Sequence, residues 1–369
     1  MRPKELEKAL GLLKPYCGKP DILPVLAHVA LRPGDGCLTA EATDLQVACR
    51  LEIPYSGPEF EATTTPFKAL LAAAKSLKGE GEIKLRTDNG GLTVAAGATE
   101  ITLTPAPISE WPALPDPGPA VATFAADVLA EIATRVAPSA DDGKEAGINP
   151  VLQAVCLELG PQQTTAVASD TCEIVWLDIE DRYRGPAEPQ QALIDAAIFG
   201  PLAKTVAALG ADEVRLALGE RYAVFTFAGG AVFAAMLKGA FPDWREIVRQ
   251  NPATEGRLTI RRADLARTLQ AARPWTSNDL TRWTVADHTV TIEARGDEGR
   301  FRRQVQVEAD GFDRPCTIGL ACSRLLRLLN QVGGERAILS FNDPRRPVHL
   351  AAAGDDAWHA LVMPMRLYA

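Results

Sequence analysis

One pattern constrains this chain more than any other: apolar helix, strand, tight turn, strand, turn, strand. It occurs three times in 369 residues, over Thr64–Pro105, Ile194–Gly239 and Leu320–Met365. The strand after the helix centres on Ile83, Val214 and Ile338. Stretches such as "EIKLRT" and "EVRLAL" alternate apolar and polar residues, as half-buried strands do. Hairpin residues follow at Asp88-Asn89-Gly90, Gly219-Glu220 and Asn342-Asp343-Pro344. A supersecondary unit repeated in tandem must bury a helix face on a sheet in each copy.

Each copy also has an earlier helix: "PKELEKALGLLK", "FAADVLAEIATRVA" and "IRRADLARTLQAA". Leu6, Leu10 and Leu13 form one stripe, as do Leu129, Ile132 and Val136, and Leu265 and Leu269. Strands lie between the two helices. Pro-rich connectors near 108–120 and 239–256 suggest domains at 1–116, 117–245 and 246–369. The expected class is α+β, three tandem domains, each with two helices packed on antiparallel sheet.

Composition fits a packed globular chain, at 47% hydrophobic and 23% charged. Seven cysteines without a CxxC pair argue against a disulfide framework or a zinc ribbon. They read as reduced thiols, which implies a cytoplasmic protein. No run approaches the ~18 apolar residues of a membrane span. The start, "MRPKELEKALGLLKPYC", carries spread charges and no signal core.

The net charge of −8 disfavours a simple nucleic-acid binder, which is usually basic. Positive charge is nonetheless patterned. Lys4 and Lys8 oppose Leu6 and Leu10 on the first helix; Lys68 and Lys75 oppose Leu70 and Leu77. Arg135, Lys204, Arg267, Arg324 and Arg327 add charge on equivalent helices. Symmetric basic helix faces would hold phosphates without reading bases.

Nothing in the sequence advertises catalysis. His28, His288, His349 and His359 form no ligand spacing, and neither a P-loop nor a GxSxG elbow occurs. Ser169, Asp170 and Cys172 lie close together but no histidine stands beside them. "TDLQ" at Thr43–Gln46 and "SDTCE" at Ser169–Glu173 occupy equivalent repeat positions, which points to a shared turn with Asp capping backbone amides. The last stretch, "HALVMPMRLYA", is too apolar for a frayed end: it must be docked, or be a docking surface.

Four motifs carry a resemblance: "DILPVLAHVAL" with "TDLQV", "NPVLQAVCLEL…VASD", "GAFPDWREIVRQNP" and "VMPMRL". In order and spacing along the whole length, the chain is similar to the bacterial sliding clamps, the beta subunit of DNA polymerase III. The resemblance implies three clamp domains per chain and a head-to-tail homodimeric ring around duplex DNA. It implies no catalysis, no cofactor, no metal and no membrane. The role would be a processivity factor of DNA replication. Its partners would be double-stranded DNA of any sequence, the DNA polymerase III alpha subunit, the clamp loader, and other polymerases and repair proteins carrying clamp-binding peptides.

The tail would form one wall of a hydrophobic peptide cleft between the second and third domains. Carried over by position, the cleft comprises Leu152, Ser169, Thr171, Cys172, Ile174, Pro242, Ile247, Val348, Leu361, Val362, Met363, Pro364, Met365 and Arg366. DNA contacts fall on Lys19, Lys68, Lys75, Lys204 and, in a loop, Lys144. The dimer interface would join Ile101–Leu103 to the region of Arg273–Trp275. Some positions depart from the family. Thr171-Cys172-Glu173 replaces Gly-His-Arg, and Glu173 would put a negative charge beside the cleft. Asp195-Ala196-Ala197 and Glu246 replace basic residues, which would weaken the DNA grip or shift it to other lysines. Tyr368 and Ala369 run past the usual end and would shield the groove. These departures leave an alternative: a clamp-like accessory dedicated to a non-replicative polymerase or a mobile element.

Overall fold

A computed structural model describes residues 1–21, 23–88, 90–144 and 149–367. Its helices are α1 (Pro3–Leu13), α2 (Phe67–Ser76), α3 (Ala126–Glu131), α4 (Phe199–Leu209), α5 (Trp244–Gln250), α6 (Arg262–Ala272) and α7 (Cys322–Gln331). Three times a strand, a helix and three strands follow one another. The first copy is Thr63–Pro66, α2, Lys84–Asp88, Gly91–Ala96 and Thr99–Leu103. The second has α4 before Glu213–Leu218, Tyr222–Phe227 and Gly230–Ala235; the third has α7 before Arg336–Ser340, Val348–Ala352 and Asp355–Val362. Val214 and Ile338 sit in their strands. Ile83 falls one residue before its strand, where its N–H donates to the Met1 carbonyl at 2.7 Å. The expected helix over "FAADVLAEIATRVA" changes character midway: α3 continues as a π-turn, Ile132–Val136, with Leu129, Ile132 and Val136 buried.

The chain forms two compact units. The first comprises Met1–Ala130, Arg182–Pro186 and Ala197–Met236. Among its described residues, a nine-stranded antiparallel sheet joins Gly230–Ala235 to Val47–Pro54, with Val232 opposite Cys49. Strands of two repeats thus share one sheet, and neither end strand is left as an open edge at that seam. A three-stranded sheet, Lys84–Leu103, completes the unit, with Thr99–Leu103 at its edge. Leu6, Leu10 and Leu13 of α1 are fully buried, while Lys4 and Lys8 face out. Burying each leucine stabilises the fold by roughly 1.5–3 kcal/mol.

The second unit comprises Glu131–Asp181, Ala187–Ala196 and Leu237–Ala369. Its nine-stranded sheet runs Gln190–Asp195, Ala154–Leu159, Thr164–Ser169, Glu173–Ile179, Asp355–Val362, Val348–Ala352, Arg336–Ser340, Arg257–Arg261 and Glu308–Asp310. The tail strand Asp355–Val362 is therefore central, pairing Leu361 with Ile174 and Val362 with both Glu173 and Val348. That is why so apolar a segment is tolerated there. A four-stranded sheet ends in the edge strand Gly299–Gln306. Leu265 and Leu269 of α6, and Leu325, Leu328 and Leu329 of α7, are buried. The middle repeat contributes to both units, because its two groups of strands pair with different neighbours.

Candidate binding cleft

The site grows from the turn Ser169–Glu173. The Asp170 carboxylate accepts from the backbone N–H groups of Cys172 and Glu173, both at 3.0 Å. Ser169 Oγ donates to the Glu173 carbonyl at 2.6 Å. Thr171 takes φ 74°, the left-handed region that a β-branched residue rarely adopts. The first repeat builds the same turn at Thr43–Val47. Asp44 accepts from Gln46 and Val47 at 2.9 and 2.8 Å, Thr43 Oγ1 donates to the Val47 carbonyl at 2.8 Å, and Leu45 has φ 77°. The capping role expected for both aspartates holds.

In the second unit this turn opens onto an apolar pocket of about 160 Å³. Leu152, Ile174 and Leu361, each under a tenth exposed, make the floor. Cys172, Ile247 and Met363 stand exposed at the rim. Helix α5 supplies the far wall. Pro242 precedes it, and Asp243 caps it by accepting from the Glu246 N–H at 3.0 Å. Trp244 is buried, donates from Nε1 to Glu158 Oε1 at 2.9 Å, and packs 5.4 Å from Trp176. The tail closes the pocket: the Met363 N–H donates to the Cys172 carbonyl at 2.8 Å. Such a concavity, apolar with a few polar groups at its lip, is what a short apolar peptide segment can fill.

Nine of the expected cleft residues line this pocket: Leu152, Ser169, Thr171, Cys172, Ile174, Pro242, Ile247, Leu361 and Met363. Val348 and Val362 do not; they are fully buried and face each other across adjacent strands. Alternation along the tail turns Val362 away from Leu361's side of the sheet. Pro364 and Met365 are half-buried, Arg366 is exposed, and none of the three lines the pocket. Phe241 and Trp244 line it and were not expected; Glu173, expected beside the cleft, lines it as well. The first two lie within "GAFPDWREIV", so their signal was the apolar neighbours of Pro242. Tyr368 and Ala369 lie outside the described residues.

Glu173 differs from its expectation. Its side chain is wholly inaccessible, and its two carboxylate oxygens accept from Arg324 at 3.0 Å and Arg327 at 2.6 Å. It therefore brings no free charge to the cleft. The same bonds remove Arg324 and Arg327 from any phosphate-binding face, and Arg135 is likewise paired with Asp355 and Glu131. Lys19, Lys68, Lys75 and Lys204 are exposed. Lys144 is exposed and bonded to Asp142 at 2.6 Å. Ile101 and Leu103 lie on the edge strand of the three-stranded sheet, half-buried and buried. Arg273 is exposed, and Trp275 places its ring where a side chain on Gly299 would sit, beside the edge strand Gly299–Gln306.

Comparison with known proteins agrees with this architecture. No protein-family model matches the chain. The beta sliding clamp of Streptomyces coelicolor is 26% identical over 366 residues, covering 93% of this chain and 92% of that one. The beta sliding clamp of Pseudomonas putida is 25% identical over 378 residues, 98% of each. Among solved structures, a Pseudomonas aeruginosa DNA polymerase sliding clamp superposes with TM-score 0.90 at 22% identity, over 100% of this chain and 99% of that one. The DNA polymerase III beta subunit of Thermotoga maritima gives 0.88 at 16%, with the same coverage. The chain has the sliding-clamp fold. Along its whole length the chain is similar to the bacterial beta sliding clamps, so the resemblance carried by its motifs is borne out.

Proposed function

We propose that this chain is a DNA sliding clamp, a processivity factor that performs no reaction itself. Three clamp domains, 1–116, 117–245 and 246–369, form each subunit, and two subunits close head to tail around duplex DNA. A heterologous contact that closes after two copies makes a ring rather than a filament. Two open strand edges suit such a contact: Thr99–Leu103, with Ile101 and Leu103, in one protomer, and Gly299–Gln306, beside Arg273 and Trp275, in its partner. An edge strand left unpaired is a template for another chain.

A topologically linked ring need not bind tightly. Screened contacts from Lys19, Lys68, Lys75, Lys204 and Lys144 to phosphates would permit sliding. The apolar cleft would take a short peptide from the polymerase alpha subunit, the clamp loader, or other polymerases and repair proteins. Tethering by such a peptide raises the effective concentration of the primer end toward millimolar values. The observation that carries this reading is the pocket walled by the tail strand in a chain of clamp fold. A Pseudomonas aeruginosa sliding clamp of that fold has been crystallised bound to griselimycin, with TM-score 0.90 to this chain. With its carboxylate bridged, Glu173 gives no reason for a peptide of altered charge, so the chain needs no specialised partner on that account.

The test is oligomeric state together with peptide binding. Light scattering at micromolar concentration is expected to give a dimer. Calorimetry with a synthetic octapeptide bearing leucine and phenylalanine side chains is expected to show one site per subunit. A monomer that ignores the peptide overturns the proposal.

A further inference from the structure

We infer that Arg324 on α7 is a positioning residue for the cleft: it holds the turn Ser169–Glu173, and through the turn the tail at Met363, in the shape that accepts a peptide. This rests on the peptide-cleft reading above. Two carboxylates stand on the turn. One oxygen of Asp170 caps the turn's amides, and the other oxygen accepts from Arg324 Nη1. Glu173 is buried and bridged by both Arg324 and Arg327, and Arg327 also donates to the buried Ser139 Oγ at 2.8 Å. A buried carboxylate is tolerated only when paired, so the turn has one seat it can occupy.

Facing the other way, the same turn offers the Cys172 carbonyl to the Met363 N–H. Two residues on, the Met365 N–H donates to the Gly319 carbonyl at 2.8 Å, in the strand that leads into α7. Helix α7 thus grips the turn through side chains, and the strand before it grips the tail through backbone. The rim residues Cys172 and Met363 are themselves exposed, Met363 by 46%, so their position is fixed from behind rather than by packing of their own side chains. Thr171 at positive φ adds a conformation that persists only when its surroundings impose it.

The experiment compares Arg324→Met, Arg324→Lys and Asp170→Asn in the full-length chain. Asp170→Asn keeps an acceptor for the turn's amides and turns the oxygen that Arg324 meets into an amide NH2, which cannot accept from it, so it reports even where Arg324→Met folds poorly. Hydrogen exchange read on the unliganded protein is expected to speed up at the Cys172 and Met363 amides by about tenfold, with affinity for the octapeptide falling by a similar factor in Arg324→Met and less in Arg324→Lys. Unchanged exchange overturns the inference. Faster exchange with affinity within twofold of wild type also overturns it, because α7 would then support the fold and not the site. If wild-type protein ignores the octapeptide, the cleft reading falls and the inference falls with it.

Discussion

Cys172 stands exposed on the rim of an apolar pocket, while the chain's other six cysteines are buried or half-buried. Burial pushes the thiols of Cys17 and Cys156 up to about 12 and that of Cys322 to about 11, and those of Cys49 and Cys316 upward as well. The thiolate is the nucleophile, so such groups stay inert near pH 8. Iodoacetamide at that pH is expected to modify Cys172 first by peptide mapping, and the octapeptide to slow that reaction at least severalfold. Modification spread evenly over the cysteines, or indifferent to peptide, would contradict the rim placement. At this scale the sequence was legible where the signal was local. The pairs Thr43–Asp44 and Ser169–Asp170 announce their turns because each aspartate bonds amides two and three residues on. The partners of Glu173 were not legible, because Arg324 and Arg327 lie 151 and 154 residues away and a long-range ion pair leaves no local pattern.

The tail strand shows what an element adds. Leu361 and Met363 are two apart and share a face by alternation, yet Leu361 is 3% exposed and Met363 46%. Leu361 is still inside a strand, opposite Ile174; Met363 has passed its end and is tied by one backbone bond to Cys172. Leu361→Ala is accordingly expected to destabilise the protein by about 2–5 kcal/mol through the cavity it leaves. Met363→Ala combined with Ile247→Ala, at exposed positions, is expected to cost under about 1 kcal/mol of stability while weakening octapeptide binding at least tenfold. Chemical denaturation and calorimetry on the same samples separate the two effects. Equal loss of stability in both variants would mean that floor and rim are not distinct. The apolar run showed that the tail had to be docked. It did not show that Val362 would turn inward onto Val348, because register follows from the partner strand and not from the run itself.

At the scale of the molecule the threefold repeat was plain in the sequence, whereas the grouping of its strands into two compact units was not. Strand identity is set by local alternation, but the choice of which edges join is made by surfaces distant in sequence, as where Gly230–Ala235 meets Val47–Pro54. Charge follows the same logic. A net −8 says nothing of where cations sit, and several arginines that helical periodicity places on a common face are paired with carboxylates instead. If the chain encircles DNA as proposed, the burden of phosphate binding then falls on lysines. A duplex-binding assay across salt concentrations tests this directly. Counterion release makes log affinity fall linearly with log salt, with a slope of about 0.9 per phosphate neutralised. Lys68, Lys75 and Lys204 are exposed at α2 and α4. Replacing all three by alanine is expected to shallow that slope by about one for each lysine that contacts phosphate, equally for duplexes of unrelated sequence, with dimer mass and octapeptide affinity unchanged. An unaltered slope would move the DNA path away from these helices. A slope that depended on base sequence would replace sliding contacts with direct readout, which a clamp that must travel along any sequence cannot use.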